Sequence, residues 1–441
     1  MGNLSTPEKV LKLQKALHAK AKAEPDFRFY ALYDKLYRED VLAHAYACCK
    51  SNAGAAGVDG VRFEDIEAFG VERWLGELAL ELRNETYQPQ AIRRVYIPKP
   101  NGTLRPLGIA TIRDRVAQTA AVLVLEPIFE ADLPTEQYGY RAQRSALDAV
   151  RQVHSLLNTG HRQVVDTDLS EYYETIPHGE LLQSVARRIV DRRVLHLIKR
   201  WITAPVEEDE RGGKKRTTRN RDEKRGLPQG SPLSPLLSNL YMRRFVLAWK
   251  RMGYEKQFGG KVVTYADDLV ICCARQAEEA LNRMRQIMQR LGLRVNEEKT
   301  HVCRVPAGHF DFLGYTFGRC YSSRGARPFL GTRPSKKSIR RLIGKIREQT
   351  DCKTYLLDAA DMVDRLNRML RGWANYFCLG SVSKAYGRVD DYTNRRLRRW
   401  LCRKHRVGSG GYTRYSAEHL YKTLGLVNLP RLTRNFPWAK A

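Results

Sequence analysis

The sequence predicts an α+β fold. Strand-like and helix-like segments follow one another without the regular βαβα rhythm of a doubly wound sheet. Apolar residues make up 43% of the 441, enough to build real cores and too many for a disordered chain. From about residue 331 the pattern turns helical and basic. At roughly 150 residues per domain, the length corresponds to two or three domains.

The elements follow in order. Thr6 is a helix N-cap, with Pro7 at the first helical position and Val10, Leu11, Leu13 and Leu17 mainly on one face. A second helix runs from about Leu32 to Lys50 and breaks at Gly54, Gly57 and Gly60. Residues 92–97 have strand composition, and Asn101-Gly102 signals a hairpin turn after them. Ile112 to Phe129 is a buried helix. Ser145 with Asp148 forms a capping box that opens a helix stopping near Gly160. Gln163 to Leu169 is a strand. Val206 to Gly226 is charged and reads as an exposed loop. Pro232 to Trp249 is helical. Lys261 to Cys273 is a hairpin with acids at its tip. Ala277 to Leu291 is an amphipathic helix ended by Gly292. Phe310 to Phe317 is a short strand. Gly325, Pro328, Gly331 and Pro334 mark a domain boundary near 320–335.

Charge narrows the function. The chain has 77 Lys+Arg against 48 Asp+Glu, a net +29, and residues 331–441 alone carry +17. That excess points to a polyanion, nucleic acid before an anionic membrane. No apolar run approaches the ~20 residues that span a bilayer, and residues 1–20 lack the apolar core of a signal peptide. Nine cysteines without a CxxC pair argue against a disulfide framework or a four-Cys zinc site.

Carboxylates carry the chemistry. Asp267 and Asp268 interrupt the apolar run VVTYADDLVICC, and Asp166 and Asp168 do the same in QVVDTDLSEYY. Burying such acids is costly without a compensating cation. Two strands of this kind bring together oxygen donors that suit a hard divalent ion.

At this point a family is visible. Tyr265-Ala266-Asp267-Asp268 resembles the YxDD box of reverse transcriptases, with Asp168 in DLSEYY as its palm partner. Gly226-Leu227-Pro228-Gln229-Gly230-Ser231-Pro232-Leu233-Ser234-Pro235-Leu236 resembles their PQG block. LRVNEEKT (293–300) and FLGY (312–315) resemble the next two, while GAAGVDG (54–60) and IPKPNGTLRPLGI (97–109) match the N-terminal ones in order. LNRMLRGWANYF (366–377) resembles the maturase, or X, domain of group II intron-encoded proteins. The resemblance covers nearly the whole chain.

It implies a right-hand polymerase: an N-terminal extension over 1–90, fingers and palm over 91–320, and an all-α thumb/maturase domain over 335–441. It implies an RNA-directed DNA polymerase that uses dNTPs on an RNA template with a DNA primer. It also implies binding of group II intron RNA, help with splicing and mobility into target DNA, and residence in a bacterial cytoplasm. Two Mg²⁺ ions, replaceable by Mn²⁺, would sit about 3.5–4 Å apart. Asp168, Asp267 and the carbonyl of Leu169 are the implied metal ligands, and Asp268 lies beside them. Tyr173 matches an aromatic gate against the ribose 2′-OH. Lys99, Arg105 and, with them, Arg93 match triphosphate-holding residues. Gln229 and Gly230 match positions beside the incoming nucleotide, and Lys299 a palm contact.

The C-terminal part is read from its residues. Leu366, Met369, Leu370 and Trp373 fall at steps of three and four, so Trp373 is expected in the core. Lys336, Lys337, Arg340 and Arg341, and likewise Arg395, Arg396, Arg398 and Arg399, are expected to form basic RNA-binding faces. Tyr412 and Tyr415 are candidates for stacking on unpaired bases. The chain lacks the Cys pairs of the HNH endonuclease many relatives carry, so second-strand cleavage is not expected. Three alternatives share these residues: an RNA-dependent RNA polymerase, a splicing factor with an inactive polymerase site, and a domesticated reverse transcriptase without an intron.

Overall fold

The computed structural model describes residues 4–98, 102, 104–210, 213–321 and 327–432. The expected positions Lys99, Asn101 and Gly325 lie outside them.

The first helix covers Glu8–Ala23 with Pro7 as its cap, one residue later than expected. The second expected helix is two. Tyr33–Leu36 and Glu39–Ser51 are separated because Arg38 is extended. Arg38 pairs with Asp40 across that break (2.6 Å). Ile112–Glu130 is the central helix, buried along most of its length because apolar residues fall on every side of it. Ser145 caps Ala146–Asn158 with the expected reciprocal box to Asp148.

Two four-stranded sheets position the site. The central sheet runs His301–Arg304, Gln163–Thr167, Asp268–Cys273, Lys261–Tyr265, antiparallel throughout. The other runs Leu104–Ile109, Ile92–Pro98, Val206–Glu210, Gly213–Thr217, and its middle pairing is parallel. Residues 206–210 and 213–217 are therefore paired antiparallel strands, correcting the expected loop. Opposite charges face each other across the pair: Glu207 lies level with Arg216, and Glu208 with Lys215. Cross-strand pairs of that kind stabilise a strand that has no apolar side. Arg94 also reaches Glu208 from the neighbouring strand (3.0 Å).

The expected single strand at 310–317 is a second correction. Phe310–Phe312 and Tyr315–Tyr321 form a hairpin around Leu313 and Gly314, both at positive φ, and Pro328–Pro334 adds a third strand. Helices Lys336–Gln349, Ala359–Tyr376 and Ser383–Lys404 follow.

One large apolar core joins the N-terminal helices to the central helix and the Ser234–Arg251 helix. A second lies among the C-terminal helices. A third joins the central sheet to Phe377–Leu379. No helix among the described residues is long and apolar enough to cross a membrane.

Candidate active site

The Lys261–Tyr265 and Asp268–Cys273 strands are held in the sheet by buried Val262, Val263, Leu269, Val270 and Ile271. Their turn is tight: Ala266 adopts φ +57°. Gly139 packs against it, and a Cβ there would lie 2.5 Å from the Ala266 nitrogen. That turn exposes Asp267 and Asp268. The sequence placed both acids at the tip of a hairpin within an apolar run, and the paired strands put them there. Ala266 and Leu269 on either side of them are buried.

Register brings in the third acid. Thr167 lies level with Leu269, and the chain leaving that strand brings Asp168 near enough to Asp268 for the two carboxylates to repel. Asp268 is open to solvent as a residue, yet protein crowds its carboxyl. Burial first, then Asp267 and Asp168, push its pKa up to about 6. Asp166, two residues before Asp168, is pushed up to about 7, again by burial first; nearby His301 opposes the shift. Asp168 is held from several sides. Its Oδ2 accepts from Asn296 Nδ2 (3.2 Å) and Lys299 Nζ (2.8 Å). Its N–H donates to Thr300 Oγ1 (3.3 Å), and its carbonyl accepts from the Asn296 N–H (2.8 Å). Asn296 escaped the sequence reading, although it lies in the quoted LRVNEEKT block. Leu169 begins a two-residue strand paired with Arg294–Val295, its side chain buried.

The donor set fits a hard divalent ion. Asp168, Asp267 and Asp268 offer only oxygen, and burial followed by their mutual repulsion raises Asp268, a strain that a bound cation relieves. Among the described residues no three His, Cys, Asp or Glu side chains converge as a finished cage. Mg²⁺ ordinarily takes one or two carboxylates and completes its shell with water and substrate phosphates.

The second sheet supplies the opposite charge. Arg105 is level with Ile97, and Arg93 with Ile109, so both arginines share one face of the strand pair. Arg94 faces the other way and is taken by Glu208. Arg93 Nε is buried with no hydrogen-bond partner. Arg105 Nε donates to Gln229 Oε1 (3.1 Å), and the Gln229 carbonyl accepts from the Gly108 N–H (2.6 Å). Gly230 has φ +110°, and a Cβ on it would lie 2.4 Å from the Gly108 carbonyl. Its missing side chain thus serves the approach of two backbones.

Tyr172 is core: its hydroxyl donates to the Ser238 carbonyl (2.7 Å). Tyr173 is 9% exposed, its ring edge-on to Tyr172 and its hydroxyl 3.4 Å from Ser238 Oγ. Tyr140 and Asp267 lie near enough to act on its phenol, whose pKa burial raises. Tyr140 is exposed, at φ +53°, and its ring lies 6.3 Å from that of Tyr265. Sequence reasoning missed it; YGYR (138–141) gives no periodic signal.

Residues 97–317 match the family described as reverse transcriptase (RNA-dependent DNA polymerase). Residues 339–417 match the group II intron, maturase-specific domain. The chain belongs to the group II intron reverse transcriptase/maturase family. It is similar to Protein YkfC of Escherichia coli (strain K12), 33% identical over 77% of this chain and 97% of that protein. It is 30% identical to the group II intron-encoded protein LtrA of Lactococcus lactis subsp. cremoris, over 62% of this chain and 43% of LtrA. Nuclear intron maturase 2, mitochondrial, of Arabidopsis thaliana is 29% identical over 27% of this chain and 17% of its own length. The chain thus spans nearly all of YkfC and less than half of LtrA.

In this reverse transcriptase/maturase the two expected basic faces differ. Lys336, Lys337, Arg340 and Arg341 are all exposed on a helix that buries Ile339, Leu342 and Ile346. The arginine face at 395–399 is reduced. Arg396 is tied to Thr350 Oγ1 (2.9 Å) and the Thr350 carbonyl (2.8 Å). Arg398 is buried, donating to the Tyr415 carbonyl (2.7 Å) and lying over the Tyr412 ring. Arg395 and Arg399 remain exposed, because positions four apart share the outer face. Tyr415 is buried and Tyr412 exposed. Leu366 and Leu370 are buried as expected, while Trp373 is partly buried against Phe377 and Tyr386.

Proposed function

We propose that this chain is an RNA-directed DNA polymerase that extends a DNA primer on an RNA template with dNTPs, and that it binds its group II intron RNA to assist splicing and mobility into target DNA. The observation that carries the reading is the convergence of Asp168 on the Asp267-Asp268 turn, close to Tyr173. Asp168, Asp267 and the Leu169 carbonyl would hold Mg²⁺, or Mn²⁺ in its place. The ions would lower the barrier for the primer 3′-oxygen to bond to the α-phosphorus as the bond to pyrophosphate breaks.

The protein's residues do the rest by position. Arg105, with Arg93 on the same face, takes the triphosphate; a guanidinium fork suits bidentate phosphate contact. Lys99 belongs to this group by sequence. Tyr173 supports a gate role because its ring stands near Asp267 with little room beside it. Gln229 and Gly230 join the nucleotide side to the fingers strand. Lys299, a palm contact by sequence, pairs with the Asp168 oxygen that the ion would take. Residues 1–90, 91–320 and 335–441 act as the functional domains, with a bacterial cytoplasm as the setting.

Primer extension on an RNA template with Mg²⁺ tests this reading. Native protein should incorporate dNTPs, and Asp267→Asn should lose on the order of 10²–10³ in rate, as when one preorganised charge-stabilising group is removed. No incorporation by either protein would overturn it.

A further inference from the structure

A groove of about 520 Å³, with none of the site carboxylates in its lining, lies between the His178–Ala186 helix and the C-terminal half of the Ser234–Arg251 helix. Ser238, which touches Tyr173, and Arg251, on the groove, are about 20 Å apart along that helix at 1.5 Å per residue. Leu247, Ala248 and Leu291 floor the groove. Arg243, Arg244 and Arg251 line one side at helical spacing, and Arg187 lines the other.

These arginines are crowded and poorly neutralised. Buried Arg188 lies beside them. Among the described residues, the one carboxylate that forms an ion pair with any of the five is Asp132, which takes Arg187 and Arg188. Arg243 donates Nε to the Asp132 backbone carbonyl (3.0 Å), and Arg244 donates to that of Glu180 (2.8 Å). Neither contact cancels a charge. Burial, then Arg187, brings the Arg243 pKa down to about 10; Asp132 opposes the shift, while Arg251 and Arg188 add to it. Like charges gathered this way repel, and a bound anion relieves them.

The shape selects the anion. The guanidiniums from Arg243 to Arg251 spread over two helical turns, which suits successive phosphates better than one small ion. The apolar floor suits the faces of unpaired bases and sugars, which a duplex hides. Exposed Gln183 beside the groove is a neutral hydrogen-bonding group of the kind that meets a ribose 2′-OH. We propose that this groove is a binding site for single-stranded RNA, separate from the carboxylate cleft. It goes beyond the polymerase reading and does not depend on turnover.

The test is a salt titration of binding to a short fluorescein-labelled oligouridylate. The full chain is first saturated with an unlabelled primer–template hybrid. Arg244→Ala with Arg251→Ala should weaken binding about tenfold and flatten the log K against log salt slope by about 1.4, at ~0.7 per neutralised phosphate on a single strand. Arg251→Ala alone, at an exposed helix end, should give half that change and guards against misfolding of the pair. Arg244→Lys with Arg251→Lys should keep most of the slope. Unchanged affinity and slope in the alanine variants would overturn the proposal. So would an equal loss in the lysine pair, which would mark a packing defect. Oligothymidylate bound as tightly as oligouridylate would overturn the assignment to RNA. A loss on phosphatidylserine vesicles with none on oligouridylate would make the groove a membrane contact instead.

Discussion

Lys299 holds an oxygen of Asp168 that a metal ion would need. The pair is exposed, so it contributes only about 0–1 kcal/mol to stability. Removing the ammonium frees that oxygen at little structural cost. Lys299→Ala is therefore expected to lower the Mg²⁺ concentration for half-maximal primer extension, read by a metal titration. Tyr173 is tested by the opposite kind of gain. Tyr173→Ala opens the space beside the sugar and should raise ribonucleotide incorporation relative to dNTPs, measured by competition on one template. Glu126 reports on the core. Burial, then Glu130, push its pKa up to about 7, against about 4.3 in an unfolded chain. A raised folded pKa gives stability that is present below about 4.3 and lost as pH rises through about 7. Glu126→Gln should thus melt higher than the native chain at pH 8 and alike at pH 4. Residue chemistry of this kind was half legible in the sequence. The acids stood out because they interrupt apolar runs. Asn296, Tyr140 and the Asp166–His301 proximity did not, since each depends on segments far apart in the chain coming together.

At the scale of elements, the Gln229–Gly230 turn depends on the absence of a side chain. Gly230→Ala would combine a positive φ with a Cβ 2.4 Å from the Gly108 carbonyl. Strain of about 1–3 kcal/mol is expected. Because the same turn joins Arg105, the KM for dNTPs should rise along with a lower melting temperature. The capping box over Ser145 and Asp148 was readable because its signal is local, and Ser145→Ala should cost about 1 kcal/mol in a denaturant titration. The strand pair at 206–210 and 213–217 was not readable. Its strands have no apolar alternation; what holds them is charge matched across the ladder and a parallel neighbour over a hundred residues upstream. The Leu313-Gly314 turn was hidden in a similar way, since leucine seldom adopts positive φ and therefore does not announce a turn.

Across the whole molecule, the net charge of +29 announced a polyanionic partner, but charge alone does not say which cations are free to meet it. Of the four arginines at 395–399, Arg396 and Arg398 are spent on carbonyls of other segments, while exposed Arg395 reaches the Asp391 carbonyl of its own helix. Arg395→Ala with Arg399→Ala should reduce the salt slope of RNA binding by ~0.9 for each phosphate left without its cation on duplex-like sites. Arg398→Ala should instead lower the melting temperature, because it empties a buried guanidinium site. The general layout was legible because motif order survives in the chain, whereas the packing of one part on the other was not. Tyr315 donates its hydroxyl to the Tyr376 carbonyl, and Tyr376 donates to that of Leu313 (2.8 Å), so each tyrosine fastens the segment that bears the other. Apolar Phe312 and Phe377 close the same seam. Recombination that cut a gene here would leave two products, each with a raw, greasy face. The halves are thus expected to be inherited together as one cassette, and to resist being traded as separate modules.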